Sequence, residues 1–195
     1  MPDGPGPGEV LVKMRAVGLC GSDLHWWAEG RIHAGQAKYP QVLGHEPVGE
    51  IVELGKGVHG YKVGDRVSLE PSITCGHCEH CIAGRHNLCK SSKFMGGPEA
   101  QGCLRDYCVV PAHNADPIPD ALTWHQATLM EPVAVWVHTY ELAPVRLGDT
   151  VAVMGTGSIG LLGVAMAKQA GAELVMCCDR VPHRLELAKA MGADV

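Results

Sequence analysis

The chain has 195 residues, of which 46% are hydrophobic and 19% charged, and its formal net charge is -5. This composition predicts a folded protein of one or two domains and excludes a disordered or collagen-like chain. The acidic balance and the lack of a long basic run give no electrostatic basis for binding nucleic acid or an anionic membrane, so small molecules are the expected partners.

The first ten residues, MPDGPGPGEV, contain neither a basic nor an apolar segment and therefore do not have the pattern of a secretory signal. The longest uncharged stretch, residues 150–167, contains four glycines, which is unusual for a membrane helix. We therefore expect a cytoplasmic protein. The chain has nine cysteines, and in such a reducing compartment clustered cysteines are more often metal ligands than disulfide partners.

Short runs of β-branched residues alternate with Gly and Pro turns from residue 10 to about residue 120. The runs are EVLVKMRAVG, PVGEIVELGKGV, KVGDRVSLEP and DYCVVPA. Each has the composition of a strand, and no long helical periodicity separates them. The pattern predicts a small all-β domain of barrel or sandwich type over residues 1–123.

The pattern changes at Trp124, where TWHQATLMEPVAVWVHTYELA has apolar residues at helical spacing after a suitable N-cap, Thr123. Beyond it we predict a strand at 151–154, a helix at 158–170, a strand at 173–178 and a helix at 182–191. A βαβα unit of this kind needs further parallel strands to cover its sheet. Residues 124–195 are thus expected to form a linking helix and an incomplete α/β domain.

A glycine fingerprint, GTGSIG, joins the first strand of this unit to its helix. It is typical of dinucleotide binding, with the pyrophosphate at the helix N-terminus, although a glycine turn without a ligand is the alternative. Asp179 at the end of the next strand favours NAD over NADP, because a carboxylate accepts ribose hydroxyls and repels a 2'-phosphate. Arg180 and Arg184 weaken this preference. The candidate cofactor-binding residues are Gly155, Gly157, Ser158, Ile159, Gly160, Asp179 and Arg184.

Residues 74–89, TCGHCEHCIAGRHNLC, contain four cysteines with the spacing C-x2-C-x2-C-x7-C. Four thiolates close a tetrahedral shell, which is typical of a structural zinc; an Fe–S cluster is the less favoured occupant. The predicted ligands of this lobe, residues 74–90, are Cys75, Cys78, Cys81 and Cys89, and the histidines that could replace one of them are His77, His80 and His86. We expect the cysteines at 103, 108, 177 and 178 to be small buried hydrophobic residues.

Catalysis would need a metal site with an open position. Cys20 in VGLCGSDLH and His45-Glu46 in LGHEPVGEIVELGKGV are the candidates, although a buried thiol and a core histidine would be the ordinary interpretation of each alone. Together with the cysteine lobe and the glycine fingerprint, these motifs occur in an order that resembles the zinc-dependent medium-chain dehydrogenases/reductases of the alcohol dehydrogenase superfamily. The resemblance covers nearly the whole chain.

The resemblance implies a GroES-like β-barrel catalytic domain over residues 1–123 and the first part of a Rossmann NAD-binding domain over 124–195. It also implies that Cys20 and His45 bind a catalytic zinc, with Glu46 as a third or switchable ligand. Glu131 would be a further ligand or a partner of the zinc-bound water. Ser22 would take the proton of the alcohol, and His25 would relay it to solvent.

The implied function is hydride transfer between NAD and a secondary alcohol or polyol of the sorbitol or xylitol type. CGSDLHWW, SLEPSITCGHC and LMEPVAV are closest to the polyol dehydrogenases, although Trp26 stands where those enzymes often have tyrosine. Butanediol, threonine and simple alcohol dehydrogenases are the alternatives within the family. A zinc-free reductase and an inactive zinc-binding module are the alternatives outside this activity.

Members of the superfamily are longer than this chain, so the resemblance implies truncation at both ends. The full-length protein would hold two zinc ions per chain and form a homo-oligomer, a dimer or a tetramer. We expect the 195 residues alone to be unstable or inactive without a partner, because a two-stranded sheet cannot bury both of its faces.

Overall fold

A computed structural model of the protein describes residues 3–32 and 35–195. The chain folds as two compact units, Met1–Met130 and Glu131–Val195. The strands of the first unit are β1 (Glu9–Gly18), β2 (Arg31–Ile32), β3 (Gly35–Gln36), β4 (Glu46–Leu54), β5 (Arg66–Leu69), β6 (Ser72–Ile73), β7 (Lys93–Phe94), β8 (Tyr107–Pro111) and β9 (Ala115–Pro117).

Five of these strands form one antiparallel sheet in the order β8-β1-β4-β5-β9, while β2 with β3 and β6 with β7 form two-stranded ribbons. The pairings among residues 3–32 and 35–130 leave this sheet open rather than closing it into a ring. The expectation of a largely β first domain is confirmed. Its core lies against this sheet and includes Val10, Val12, Ile51, Val67, Leu69 and Val110, each at most 1% exposed.

Among the described residues of the first unit, the α-helices that lie wholly within it are α1 (Gly21–Glu29), α2 (Glu79–Ile82) and α3 (Trp124–Ala127). The strand pattern did not predict α1. Its N-cap is Cys20 rather than a residue with a strong capping preference, and Asp23 completes the cap by accepting a hydrogen bond from the Cys20 N–H at 3.0 Å. The α1 helix ends at Gly30, whose φ of 65° is in the left-handed region.

The helix expected to begin after Thr123 is interrupted. Thr123 is its N-cap, as predicted, and accepts a hydrogen bond from the Gln126 N–H at 3.2 Å. The helix ends at Ala127, and α4 (Met130–Leu142) then begins. Pro132 lacks the N–H that a continuous helix would need at that position, and the Thr128 hydroxyl donates to the His125 carbonyl at 2.8 Å. Both features favour a break.

The second unit contains most of α4, followed by β10 (Thr150–Met154), α5 (Ser158–Gln169), β11 (Leu174–Cys178) and α6 (Pro182–Ala190). The two strands are parallel and pair from Thr150 with Leu174 to Met154 with Cys178. The βαβα prediction is therefore confirmed. The core of this unit consists of Val153, Val164, Ala167, Ala172 and Val175. No helix within the described ranges is long and apolar enough to cross a bilayer.

Helix α5 packs closely on α4 at Gly163. A Cβ at this position would overlap the ring of Trp136, whose Nε1–H donates to the Ile159 carbonyl at 2.7 Å. We expect Gly163→Ala to lower the free energy of unfolding by about 1–3 kcal/mol, because the ring must move and strain its contacts. Urea unfolding of the product of the complete coding sequence measures the effect, and adding Trp136→Leu should recover part of it. Equal stability of Gly163→Ala and the wild type would contradict this packing.

Candidate metal and cofactor sites

The four cysteines of the lobe converge. Their sulfur atoms all lie within 4.8 Å of one another. The Sγ atom of Cys81 is 3.6 Å from that of Cys78 and 3.9 Å from that of Cys75. Zn–S bonds of about 2.3 Å in a tetrahedron place neighbouring sulfurs about 3.8 Å apart, so this arrangement fits a zinc ion held by four thiolates.

Backbone N–H groups of the lobe make two of its four thiols easier to ionise. Backbone N–H groups of Cys81 and Lys90 lower the pKa of the Cys78 thiol to about 6, and those of Cys75 and Ser91 lower the pKa of Cys89. Desolvation raises the pKa of Cys81 to about 11.

Among the histidines of the lobe, the His77 Nδ1 atom contacts the Cys75 carbonyl at 2.7 Å, so that nitrogen is already engaged with the backbone. The donor set is therefore four sulfur atoms, of which two ionise more readily than an ordinary cysteine, and this favours metal binding.

A second cluster brings together Cys20, His45 and Glu46, whose ligand atoms also lie within 4.8 Å of one another. Cys20 immediately precedes α1, whereas His45 and Glu46 stand at the start of β4. One thiolate, one imidazole and one carboxylate make a donor set that suits zinc and leaves a fourth position for water or substrate. The cluster lies entirely within the first unit.

Asp23 organises this second cluster, and the motifs did not predict its role. It is 2% exposed. Its Oδ1 accepts a hydrogen bond from the Gly44 N–H at 2.9 Å and lies 3.6 Å from the Nδ1 of His45. Its Oδ2 accepts from the Cys20 N–H. An Nδ1–H directed at Asp23 leaves Nε2 free to bind a metal. An aspartate three residues after Cys20, in the position of a capping residue, is the sequence signal for this role.

Glu46 packs tightly against β1. A Cβ on Gly18 would overlap the Glu46 carboxylate, so a larger residue at this position would displace that carboxylate. Burial raises the pKa of the Glu46 carboxyl above its ordinary value. The charge of His45 and a hydrogen bond from Cys20 each lower this pKa, but they offset only part of the effect of burial. Contact with a cation would offset this desolvation, which fits a position beside a metal.

The proposed proton-transfer residues differ in their surroundings. The Ser22 hydroxyl is 3.5 Å from Nε2 of His45 and lines a cavity with it. His25 lies on the exposed face of α1, where its Nδ1 contacts the Glu29 carboxylate at 2.6 Å, and its side chain is 61% exposed. Glu131 stands in the first turn of α4 and belongs to the second unit. Its role therefore stays a prediction.

The glycine turn has the geometry that each of its glycines requires. Gly155 has a φ of 95°, in the left-handed region, and its N–H donates to the Cys178 carbonyl at 2.7 Å. No heavy atom lies within 4 Å of a Cβ built on Gly157, which leaves its backbone open to a ligand. A Cβ on Gly160 would overlap the Gly155 carbonyl. Ser158 and Ile159 open α5.

Asp179 holds this turn from the end of β11. Its Oδ2 accepts hydrogen bonds from the N–H and the hydroxyl of Thr156 at 2.7 and 3.1 Å, and its Oδ1 accepts from the Val181 N–H at 2.9 Å. Nη1 of Arg184 is 3.8 Å from Oδ2. The backbone N–H groups of Thr156 and Val181 lower the pKa of Asp179 to about 2. The carboxylate is thus charged at neutral pH and faces the turn.

Replacing Asp179 by Asn is expected to destabilise the second unit at neutral pH, because three hydrogen bonds lose a charged acceptor. The folded-state pKa lies below the ordinary value, so this contribution is present above about pH 4 and is lost as the pH falls towards 2. Urea unfolding of the wild type and the variant, each made from the complete coding sequence, should give midpoints that converge as the pH falls. A constant difference across this range would contradict the role of the charge.

The remaining cysteines were predicted to be buried. Cys103 and Cys108 are each 0% exposed, as expected. Cys177 is half-buried, and Cys178 is exposed, so the prediction for Cys178 was wrong. Successive side chains of a strand point to opposite faces, and these two neighbours at the end of β11 cannot both point into the core.

Comparison with known proteins identifies the family. The protein-family model described as the alcohol dehydrogenase GroES-like domain matches residues 6–120. Sorbitol dehydrogenase of Bacillus subtilis is 45% identical over 185 residues, which are 95% of this chain and 52% of that protein. L-threonine 3-dehydrogenase of Pyrococcus horikoshii is 44% identical over 195 residues, covering 97% of this chain and 54% of that protein. The chain thus spans about half the length of the curated relatives it matches.

A solved structure of a dehydrogenase is also similar to this chain over its whole length. The short chain alcohol dehydrogenase from E. coli CFT073, complexed with the cofactor NADH, superposes with a TM-score of 0.90 at 39% identity. The match covers 100% of this chain and 56% of that one. The chain therefore belongs to the zinc-dependent medium-chain dehydrogenases/reductases of the alcohol dehydrogenase superfamily, and residues 6–120 are its GroES-like domain.

Proposed function

We propose that the protein containing this chain is a zinc-dependent oxidoreductase that transfers hydride between a secondary alcohol or polyol and NAD. The convergence of Cys20, His45 and Glu46 beside Ser22 and a cavity is the observation that carries this proposal. The set leaves a coordination position for substrate, whereas the four-cysteine lobe does not. The lobe residues Cys75, Cys78, Cys81 and Cys89 would hold a structural zinc.

Zinc at the Cys20–His45–Glu46 cluster would supply a Lewis acid that lowers the pKa of the reacting alcohol. Ser22 is close enough to this cluster to accept the proton of the alcohol, and His25 would pass that proton to solvent from the exposed face of α1. Asp23 would keep the His45 ring in the tautomer whose Nε2 is available to the metal. Glu131 would act as a further ligand or as a partner of a water at the metal.

The second unit would hold NAD, which supplies the hydride acceptor. The open backbone at Gly157 and the N-terminus of α5 suit the pyrophosphate, and the charged Asp179 suits the adenosine ribose hydroxyls. Asp179 is already paired with Thr156 and Val181, so ribose binding would share or replace these bonds. Arg184, which faces Asp179, would take a supporting role in this site.

We further propose domain boundaries at 1–123 and 124–195, a cytoplasmic location and a homo-oligomer of the full-length protein. The substrate class is the polyol type, supported by the identity to a sorbitol dehydrogenase. A threonine-type substrate is the second candidate, supported by the nearly equal identity to an L-threonine 3-dehydrogenase.

The test uses the product of the complete coding sequence. We expect two zinc ions per chain by metal analysis, and NADH formation when polyols, 2,3-diols, secondary alcohols or L-threonine are supplied with NAD. One zinc per chain and no NADH formation would favour a zinc-binding module instead, and a metal-free active enzyme would favour a zinc-free reductase. The 195-residue chain by itself is expected to show neither cooperative unfolding nor turnover.

A further inference from the structure

A cavity lies beside the Cys20–His45–Glu46 cluster and is lined by His45 and Ser22. Its volume is about 310 Å³, the size of a site for a small molecule. His45, at 5% exposed, forms its buried end together with Ser22. Most of the wall is apolar and is formed by Trp26, Ile32, Phe94 and Pro98.

Glu99 interrupts this apolar wall. It is the only carboxylate that lines the cavity within residues 3–32 and 35–195, and no lysine or arginine of these ranges lines it. Glu99 is exposed while His45 is buried, so its carboxylate marks the open end of the cavity. A molecule that reacts next to His45 would therefore direct its far end towards Glu99.

The backbone around Glu99 is held in place. The Gly96 N–H donates to the Ala100 carbonyl at 3.0 Å, and the Gly97 N–H donates to the Phe94 carbonyl at 3.2 Å. The Gln41 side chain donates to the Gly96 carbonyl at 2.8 Å. The Glu99 Oε2 atom lies over Gly97, 3.1 Å from where a Cβ would stand. These bonds order the backbone of the turn that carries Glu99 beside the cavity.

We propose that Glu99 is a specificity-determining residue that selects alcohols carrying a second hydroxyl group and rejects anionic alcohols. The proposal rests on the function proposed above and names the substrate class of that site. An ionised carboxylate only accepts hydrogen bonds, so it favours a hydroxyl donor at the far end of the substrate. A phosphate or carboxylate placed there would meet a like charge without a basic lining residue to offset it.

The experiment compares wild type, Glu99→Gln and Glu99→Lys in the product of the complete coding sequence. The matched control is Glu186→Gln, at an exposed glutamate of the second unit that does not line the cavity. The measured quantity is the ratio of kcat/KM for xylitol to kcat/KM for 2-butanol. We expect Glu99→Gln to lower this ratio about tenfold, because a charge-assisted hydrogen bond becomes a neutral one. Glu99→Lys should raise kcat/KM for a polyol monophosphate relative to xylitol. Glu186→Gln should change neither ratio.

A second measurement does not depend on turnover. Trp26 lines the cavity, so its fluorescence can report xylitol binding, which we expect to weaken about tenfold in Glu99→Gln. Unchanged kcat/KM ratios in an active enzyme, or unchanged xylitol binding, would overturn the role of Glu99 alone. Absence of turnover on every alcohol with xylitol binding still dependent on Glu99 would overturn the proposed function while supporting this selectivity.

Discussion

Replacing Asp23 by Asn should weaken zinc binding at the Cys20–His45–Glu46 cluster by 10- to 100-fold, which is the usual effect of losing the carboxylate behind a metal-bound histidine (about 1.4–2.8 kcal/mol). The carboxylate of Asp23 accepts from two backbone N–H groups, those of Cys20 and Gly44, and faces Nδ1 of His45. An amide keeps one acceptor oxygen and turns an NH₂ group towards another donor. We therefore also expect a loss of about 1–3 kcal/mol in the free energy of unfolding.

Competition with a zinc chelator measures the first effect. Urea unfolding of the zinc-loaded product of the complete coding sequence measures the second. Asp65→Asn is the matched control, because Asp65 also accepts from a backbone N–H, that of Lys62, but lies outside the cluster. The control should lose no zinc affinity. If Asp23→Asn bound zinc as tightly as the wild type, Asp23 would not position the His45 ring.

Replacing Cys81 by Ser should weaken zinc binding in the four-cysteine lobe. Cys81 is 5% exposed, and its sulfur lies 3.6 Å from that of Cys78. Losing one of four thiolates is expected to cost about a quarter of the binding free energy of a structural zinc, roughly 3 kcal/mol, or about a hundredfold in affinity. Because this zinc would stabilise the lobe rather than bind substrate, the free energy of unfolding should fall before the rate of catalysis does.

Metal analysis after dialysis against a chelator that leaves the wild type with two zinc ions should find one zinc per chain in the variant. The variant should also have a lower unfolding midpoint and should retain turnover in the fraction that remains folded. Cys178→Ser is the control, since Cys178 is exposed and outside both clusters. A variant at Cys81 that folded normally, kept its full zinc content and lost all turnover would show that the roles of the two metal sites had been assigned in reverse.

Local patterns predicted much of this protein. The strand and helix bounds of the second unit agree with the structure within about two residues, since alternating burial and a glycine turn are encoded in neighbouring residues. Helix α1 was missed because a cysteine cap gives a weak signal. The break between α3 and α4 was missed because helical spacing alone does not show the lost hydrogen bond at Pro132.

The sequence by itself determined the four-cysteine lobe, the glycine turn and the order of the motifs, because the groups that make each motif lie within a few residues of one another. Only the tertiary structure decided what surrounds them. Asp23 reaches His45 and Gly44 because α1 packs beside the start of β4, and Glu99 reaches the same cavity from a distant turn. Such contacts depend on how separate elements pack, and a periodic pattern in one segment carries no information about that packing.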